Sequence, residues 1–393
     1  MGSAKEQGRE IIQPGATLGM LGGGQLGRMS ILAGRRMGYR FHVYEPSAGC
    51  CAGMVADSET NAAYENAPAL EAFGKGVVGA TLEFENIPFD AVAVMQAEAP
   101  VYPKGEVLHI CQNRQREKEF LQANEFACAD FRVVSDGIDL EQAVKDLGTP
   151  CVLKTADFGY DGKGQMKIES SDHDFRALWR NLGFRKGVVE QWVDFEMECS
   201  VIIARNGRGE CRPFPVAENV HRNHILHQSI VPARISEQTA EAAITLARNI
   251  AETIDCVGLL AVELFVKGDG EVIVNELAPR PHNSGHWTLD ACETSQFEQH
   301  IRAVCGLPLG GSEVLRPAVM VNLLGDVWVD GVAPDWSHLM EDESIHLHLY
   351  DKGTPRPGRK MGHFTVVKPT LEEAITVAES AFEKLMPVAS SSV

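Results

Sequence analysis

Apolar residues occur in short runs broken by glycine and proline, and the runs switch between strand and helix spacing. From Ala16 to Met20 an apolar strand leads into Gly22, Gly23, Gly24 and Gly27. Leu26, Met29, Leu32 and Ala33 then recur at helical spacing as far as Gly38, and a second strand, Arg40 to Tyr44, stops at Glu45-Pro46. Strand, glycine turn, helix, strand is the opening of a doubly wound α/β unit, and α/β material continues to Tyr102-Pro103.

Beyond that point, Asn113 to Asn124 is charged and helical, and Cys151 to Thr155 is a short apolar strand. A glycine-dense loop, Phe158 to Gln165, separates it from a strand at Met166 to Ile168; Val188 to Val193 is a further strand. Ser236 is placed to cap a helix reaching Ile254, with Ala240, Ala243, Ile244, Ala247, Ala251 and Ile254 on one apolar face. The chain after Leu309 is β-rich, with turns at Asp351-Lys352-Gly353 and Pro357-Gly358, and closes in a helix around Thr370 to Lys384. No internal repeat or low-complexity run interrupts this order.

At 393 residues the chain is too long for one core and predicts two or three packed units. No apolar stretch approaches membrane-spanning length, and the polar start, Met1 to Arg9, resembles neither a signal nor a transit peptide. A net charge of -18, from 36 basic against 54 acidic residues, repels nucleic acid and anionic lipid. An anionic substrate must therefore meet a local basic pocket. The 10 cysteines include no CxxC pair, and their apolar settings predict packing roles in a reducing compartment.

Three places carry candidate chemistry. The runs AVELFV and VIVNEL flank an Asp269-Gly270 hairpin signal, and counting back from that turn sets Glu263 opposite Glu276. Like charges so placed require a cation or a proton between them, and hard oxygen ligands favour Mg²⁺; the alternative is a solvated β-face with no ligand. Lys154, at the end of an apolar strand, precedes a loop whose glycines can turn N–H groups onto phosphate oxygens; the alternative is a simple hairpin with a surface lysine. Gly22-x-Gly24-x-x-Gly27, with Glu45 ending the next strand, satisfies the dinucleotide fingerprint. That turn admits three readings: an NAD-dependent oxidoreductase, a turn that only lets helix and strand pack, or a seat for another phosphate.

The motifs GMLGGGQLGRM (Gly19 to Met29), TLEFENIP (Thr81 to Pro88), FGYDGKGQ (Phe158 to Gln165), EQWVDFEME (Glu190 to Glu198), VNELAPRPHNSGHWT (Val274 to Thr288) and GRKMGH (Gly358 to His363) occur in that order. Together they resemble the N5-carboxyaminoimidazole ribonucleotide synthetases, ATP-grasp ligases of purine synthesis, over almost the whole chain. The resemblance implies an α/β ATP-grasp fold in three parts: an N-terminal Rossmann-like (pre-ATP-grasp) domain at 11–112, a central ATP-grasp domain at 113–310 with a lid lobe near 125–195, and a small β-rich C-terminal domain at 311–393. It also implies a cytoplasmic homodimer that uses ATP, Mg²⁺, bicarbonate and aminoimidazole ribonucleotide, with no nucleic-acid or membrane partner.

Position by position, the resemblance implies ATP contacts at Arg114, Lys154, Gly159, Tyr160, Asp161, Gly162, Lys163, Gly164, Gln165, Glu190, Gln191, Trp192, Val193, Glu198, His221, Asn275 and Glu276. Glu263 and Glu276 match the family's metal ligands. Ribonucleotide contacts fall at Gln25, Leu26, Glu85, Tyr160, Asp161, Arg280, His282, Asn283, Lys352, Arg359 and Lys360, with Glu83 as the alternative to Glu85. Catalytic roles fall on Asp161, Lys163, Arg280, His282 and Lys352. A formate-using ligase of the glycinamide ribonucleotide type and a non-catalytic nucleotide sensor are the other readings of the same motifs.

Overall fold

The computed structural model describes residues 11–157, 164–183 and 185–386. The first unit is β1 (Thr17–Leu21), α1 (Gln25–Arg36), β2 (Arg40–Tyr44), β3 (Ser58–Thr60), α2 (Ala67–Lys75), β4 (Gly79–Leu82), α3 (Phe89–Glu98) and β5 (Val101–Tyr102). All five strands are parallel, in the order β3-β2-β1-β4-β5. Alternation along β1 sends Leu18 and Met20 to one face, with Ile31 and Phe41, and Leu21 to the other, with Leu70, Phe73 and Met95. The chain reverses direction across the sheet between β1 and β4, so the crevice beyond their carboxyl ends is where a doubly wound sheet takes its ligand.

Two short helices, α4 (Gly105–Cys111) and α5 (Arg114–Ala123), lead out of this unit. Asn113 caps α5 by accepting from the Arg116 N–H at 3.1 Å, which fixes the direction in which Arg114 leaves the chain. A four-stranded antiparallel lobe follows: β6 (Phe131–Val134), α6 (Gly137–Leu147), β7 (Cys151–Thr155), β8 (Gln165–Ile168), α7 (Phe175–Leu182) and β9 (Gly187–Gln191), in the order β6-β9-β7-β8. Leu140, Val144, Phe175 and Trp179 of its helices cover Val134, Leu153 and Val189 of its strands.

The remaining strands form one nine-stranded antiparallel sheet. They are β10 (Met197–Arg205), β11 (Cys211–Pro213), β12 (Ala217–Arg222), β13 (Ile225–Val231), β14 (Gly258–Val266) and β15 (Val272–Ala278), then β16 (Ala318–Leu324), β17 (Ile345–Leu349) and β18 (Lys360–Val367). The order is β15-β14-β10-β12-β13-β16-β18-β17, with β11 on the side of β10. Helix α8 (Glu237–Thr253), capped by Ser236 through the Thr239 N–H at 3.1 Å, buries Ala243, Ala247, Ile250 and Ala251 against β10 and β14. Short α9 (Thr288–Ala291) and α10 (Gln296–Val304) lie on the opposite side, and α10 also packs on α1. After α11 (Ser337–Met340), α12 (Leu371–Leu385) covers β16 and β18 and starts from a capping box made by Thr370 and Glu373. The β-rich tail is therefore continuous with the central sheet: β13 pairs directly with β16.

Candidate functional site

The glycine turn after β1 is filled from within. Glu83, just past β4, accepts from the Gly24 N–H at 2.5 Å and from the Gly27 N–H at 3.1 Å. Its carboxylate thus sits at the N-terminus of α1, where a dinucleotide pyrophosphate would have to lie. A Cβ on Gly24 would come within 2.3 Å of that carboxylate, so glycine here serves the close approach of Glu83. This removes the basis of the NAD reading and separates Glu83 from Glu85. Glu85 points onward and forms a two-pronged pair with the Arg280 guanidinium. Burial alone raises the Glu85 carboxyl, but Arg280 and its hydrogen bonds outweigh that and hold it down at about 2.

Glu263 and Glu276 are direct cross-strand partners on β14 and β15. The turn that joins these strands differs from the expected two-residue loop. Lys267 bonds back to Glu271, and Val266, rather than Lys267, faces Val272. That one-residue shift is cancelled by a β-bulge between Glu263 and Leu264, where Asn275 is the extra residue on the opposite strand. The bulge brings the two carboxylates level. His282 Nε2 lies 3.1 Å from Glu263, and Arg114 donates to Glu276 at 2.9 Å. Burial would raise the Glu263 carboxyl, but the hydrogen bond and charge of His282 lower it, so it is ionised. Beside the pair, Asn275 Oδ1 is buried with no hydrogen-bond partner among the described residues.

Behind these residues lies a buried bank of charge. Glu190 on β9 takes Lys154 at 3.0 Å and Lys118 at 3.4 Å, and Lys118 also donates to the Asn275 carbonyl at 3.0 Å. Burial, offset in part by Glu190, lowers the Lys154 pKa. Glu117 accepts from the Leu277 N–H at 2.8 Å; burial, reinforced by Glu276, raises its carboxyl. Lys118 and Glu117 escaped the sequence reading because they look like ordinary members of the charged helix Asn113 to Asn124. Their one signal is that Glu117, Lys118 and Leu121 repeat on the face that α5 buries.

On the far side of the cleft, His221 Nδ1 meets Glu198 at 2.9 Å, and Glu198 raises the imidazole pKa against the opposing effect of burial. Phe195 and Phe265 stack at 4.5 Å and 11°, and Lys167 sits 4.2 Å above the ring of Trp192. On the near side, Asn283 is buried with both amide atoms unpartnered among the described residues, and the His282 Nδ1 is held by Ser284 at 2.8 Å. Lys352 donates to Gln25 at 2.8 Å and to the Lys360 carbonyl at 3.2 Å.

One cleft of about 1040 Å³ brings together Gln25, Leu26, Glu85, Arg114, Lys154, Gln165, Glu190 to Val193, Glu198, His221, Glu263, Asn275, Glu276, Arg280, His282, Asn283 and Lys360. Three residues expected there do not line it. Gly164 turns the β7–β8 hairpin at φ 72°, Lys352 stands one layer back behind Gln25, and Arg359 donates to the Thr354 carbonyl at 2.9 Å. Gly159, Tyr160, Asp161, Gly162 and Lys163 lie outside the described residues. Phe84, Met166, Phe195, Leu226 and Phe265 also line the cleft and were not anticipated, since an apolar residue in a strand or connecting segment does not show from sequence alone that it faces a cleft.

Three family models match the chain in order: the ribonucleotide synthetase preATP-grasp domain over residues 15–112, the ATP-grasp domain over 119–297, and the phosphoribosylaminoimidazole carboxylase C-terminal domain over 318–376. With a cleft between two sheets lined by paired acids and buried lysines, they define an ATP-grasp ligase. The N5-carboxyaminoimidazole ribonucleotide synthase of Bacillus subtilis is 47% identical over 369 residues, 93% of this chain and 95% of the relative. That of Brucella melitensis is 44% identical over 359 residues, 91% and 98% of the two chains. A solved ADP complex of an N5-carboxyaminoimidazole ribonucleotide synthetase superposes with a TM-score of 0.90 at 43% identity, covering 95% of this chain and 98% of that one. The Aspergillus clavatus enzyme, solved with ADP and 5-aminoimidazole ribonucleotide, gives 0.86 at 30% identity, covering 94% and 98%. The chain belongs to the N5-carboxyaminoimidazole ribonucleotide synthase family.

Proposed function

We propose that this chain is the ligase that carboxylates 5-aminoimidazole ribonucleotide to N5-carboxyaminoimidazole ribonucleotide, at the expense of ATP and bicarbonate, in purine biosynthesis. The observation that carries this reading is the sharing of one cleft by two charged clusters. Arg114, Lys154, Glu263 and Glu276 suit a nucleotide triphosphate, and Glu85, Arg280, His282 and Lys360 suit a phosphorylated amine.

The level carboxylates of Glu263 and Glu276, with the unpartnered oxygen of Asn275 beside them, fit a hard divalent cation such as Mg²⁺. When bound, that ion would neutralise charge on the ATP phosphates. Lys154 and Arg114 supply positive charge to the phosphoryl group in transfer. A bicarbonate oxygen bonds to the γ-phosphorus as the bond to the bridging oxygen breaks, giving ADP and carboxyphosphate. Carboxyphosphate releases CO₂ and phosphate beside the ribonucleotide, and the exocyclic amine bonds to the carbon and gives up a proton. We assign that proton to Asp161 or His282, the latter oriented by Ser284 and free to accept only once its bond to Glu263 is released. Arg280, held by Glu85, orients the substrate; Gln25, Leu26, Asn283 and Lys360 complete its site, and Lys352 acts from behind by holding Gln25. Glu190 to Val193, Glu198 and His221 hold the nucleoside, and Gly159 to Gln165, Lys163 among them, are the residues we assign to the ATP phosphates.

The three-part division at 112 and 310, a homodimer and a cytoplasmic location belong to the same proposal. Ten free thiols, six of them buried, favour a reducing compartment. Among the described residues no helix is long and apolar enough to cross a membrane.

The test is ADP release from MgATP, with bicarbonate and aminoimidazole ribonucleotide each present or omitted. The expected result is turnover that needs both. Turnover indifferent to the ribonucleotide would point to another acceptor, and absence of turnover would favour a nucleotide sensor.

A further inference from the structure

Away from the cleft, where α9 meets β17 and β18, stands a second group of ligating side chains that the proposed reaction leaves unused. His348 and His363 are cross-strand partners whose rings stack at 4.5 Å and 14°. Asp290, on α9, reaches over them, with Oδ2 at 2.9 Å and Oδ1 at 3.2 Å from His348 Nε2. His363 is fully buried; its Nδ1 is bonded to the Tyr350 hydroxyl at 2.7 Å, and its Nε2 has no hydrogen-bond partner among the described residues. A buried imidazole nitrogen left unpaired is costly unless something else satisfies it. One ring nitrogen from each histidine and one carboxylate oxygen of Asp290 all fall within 4.8 Å of one another.

We propose that Asp290, His348 and His363 bind a divalent transition-metal ion of the zinc class, at a site separate from the Glu263–Glu276 pair. Two imidazoles and one carboxylate are borderline ligands that favour Zn²⁺, whereas Mg²⁺ prefers oxygen alone. Tyr350 already provides the outer hydrogen bond that metal-ligating histidines carry, at His363 Nδ1; in the tautomer with the proton on Nδ1 the Nε2 lone pair is left to the ion. Bonds of about 2 Å to each ligand require the three atoms to close to roughly 3.3 Å, a movement within reach of side-chain rotation. His348 is 30% exposed, which gives the ion a way in, and His346, with Nδ1 3.9 Å from Asp290, stands where a fourth ligand or a bound water belongs. Because α9 follows directly on the segment that carries Arg280 to Asn283, a metal here ties that segment to the C-terminal strands.

The experiment uses the full chain stripped with chelator and titrated calorimetrically with Zn²⁺ alone, with Co²⁺ as a spectroscopic probe of coordination. The expected result is one saturable equivalent per chain, a four-coordinate Co²⁺ spectrum and a rise in Tm on binding. In D290N and H348N the affinity falls by about 100-fold or more, while E263Q/E276Q and the exposed-site control H338N keep it. His348 is partly exposed, so the metal-free Tm of H348N verifies that the variant is folded. Equal Zn²⁺ affinity in the native chain, D290N and H348N would assign the ion to thiols or surface histidines and overturn the proposal. Absence of saturable binding would overturn it as well.

Discussion

Glu276 and Lys118 sit in the same charged network and should fail in different ways. Glu276 faces the cleft and is paired with Arg114. Glu276→Gln should lower kcat by roughly 100-fold, because the charge it contributes counts most in phosphoryl transfer. Its Tm should stay near native, and a steady-state assay beside a thermal melt checks both. Lys118 is fully buried, and Lys118→Met should lower stability by about 3 kcal/mol, since Glu190 and the Asn275 carbonyl lose a cation that water cannot replace. Denaturant unfolding measures it. Glu276 was legible in the sequence because it faces another glutamate across a hairpin. Lys118 was not, because only tertiary packing tells a buried lysine from an exposed one on a charged helix.

Single elements were legible where a local signal sets their limits. Arg40 to Tyr44 and Cys151 to Thr155 form strands with the bounds read from sequence, Ser236 caps the helix it was expected to cap, and the last helix begins beside Thr370 as read. Ser236→Ala should cost about 1 kcal/mol and leave kcat unchanged, a combination that a urea curve and an assay resolve. The hairpin carrying Glu263 and Glu276 teaches a less comfortable lesson. The expected facing pair is present, but through two compensating departures, a turn one residue longer and a bulge at Asn275, neither of which alternation along the strands can reveal. The strands β10 and β13, buried on both faces, likewise offer no alternation to read. The glycine fingerprint misleads for a related reason: what occupies the turn is Glu83, 59 residues from Gly24, and sequence spacing does not show it.

For the whole molecule, buried titratable groups set the pH range of stability. Burial lowers His227 to about 4 and His300 to about 3. Each contributes stability that is complete above the unfolded value near 6.5 and lost as pH falls through the folded value. Glu85 and Glu190, both at about 2, add a loss that begins below the unfolded value of 4.5. Glu117 acts in reverse: its pKa is raised, so its contribution is complete below 4.5 and fades as pH climbs. His42 and His286 are lowered likewise and Glu83 is raised like Glu117, so the histidines outweigh the carboxyls between 4.5 and 6.5, and Tm should peak near neutrality, decline toward pH 5 and drop faster below 4.5. Melting curves across that range check this, and a flat profile from pH 7 to 5 would contradict it.

The domain order was readable from the motifs, but the join between the central and C-terminal parts was not, because strand pairing across 87 residues, as between Val231 and Ala318, leaves no local trace. That join has a mechanical meaning. The strands bearing Glu263, Glu276, His221 and Lys360 belong to one hydrogen-bonded slab, so they travel as a single rigid jaw. Lys154 and Glu190 ride on the separate four-stranded lobe, and it is this opposing jaw that must swing for nucleotide to enter and leave. The work of opening is then concentrated where charges bridge the two jaws, at Lys118 and Arg114 on α5, which makes that helix the latch of the clamp.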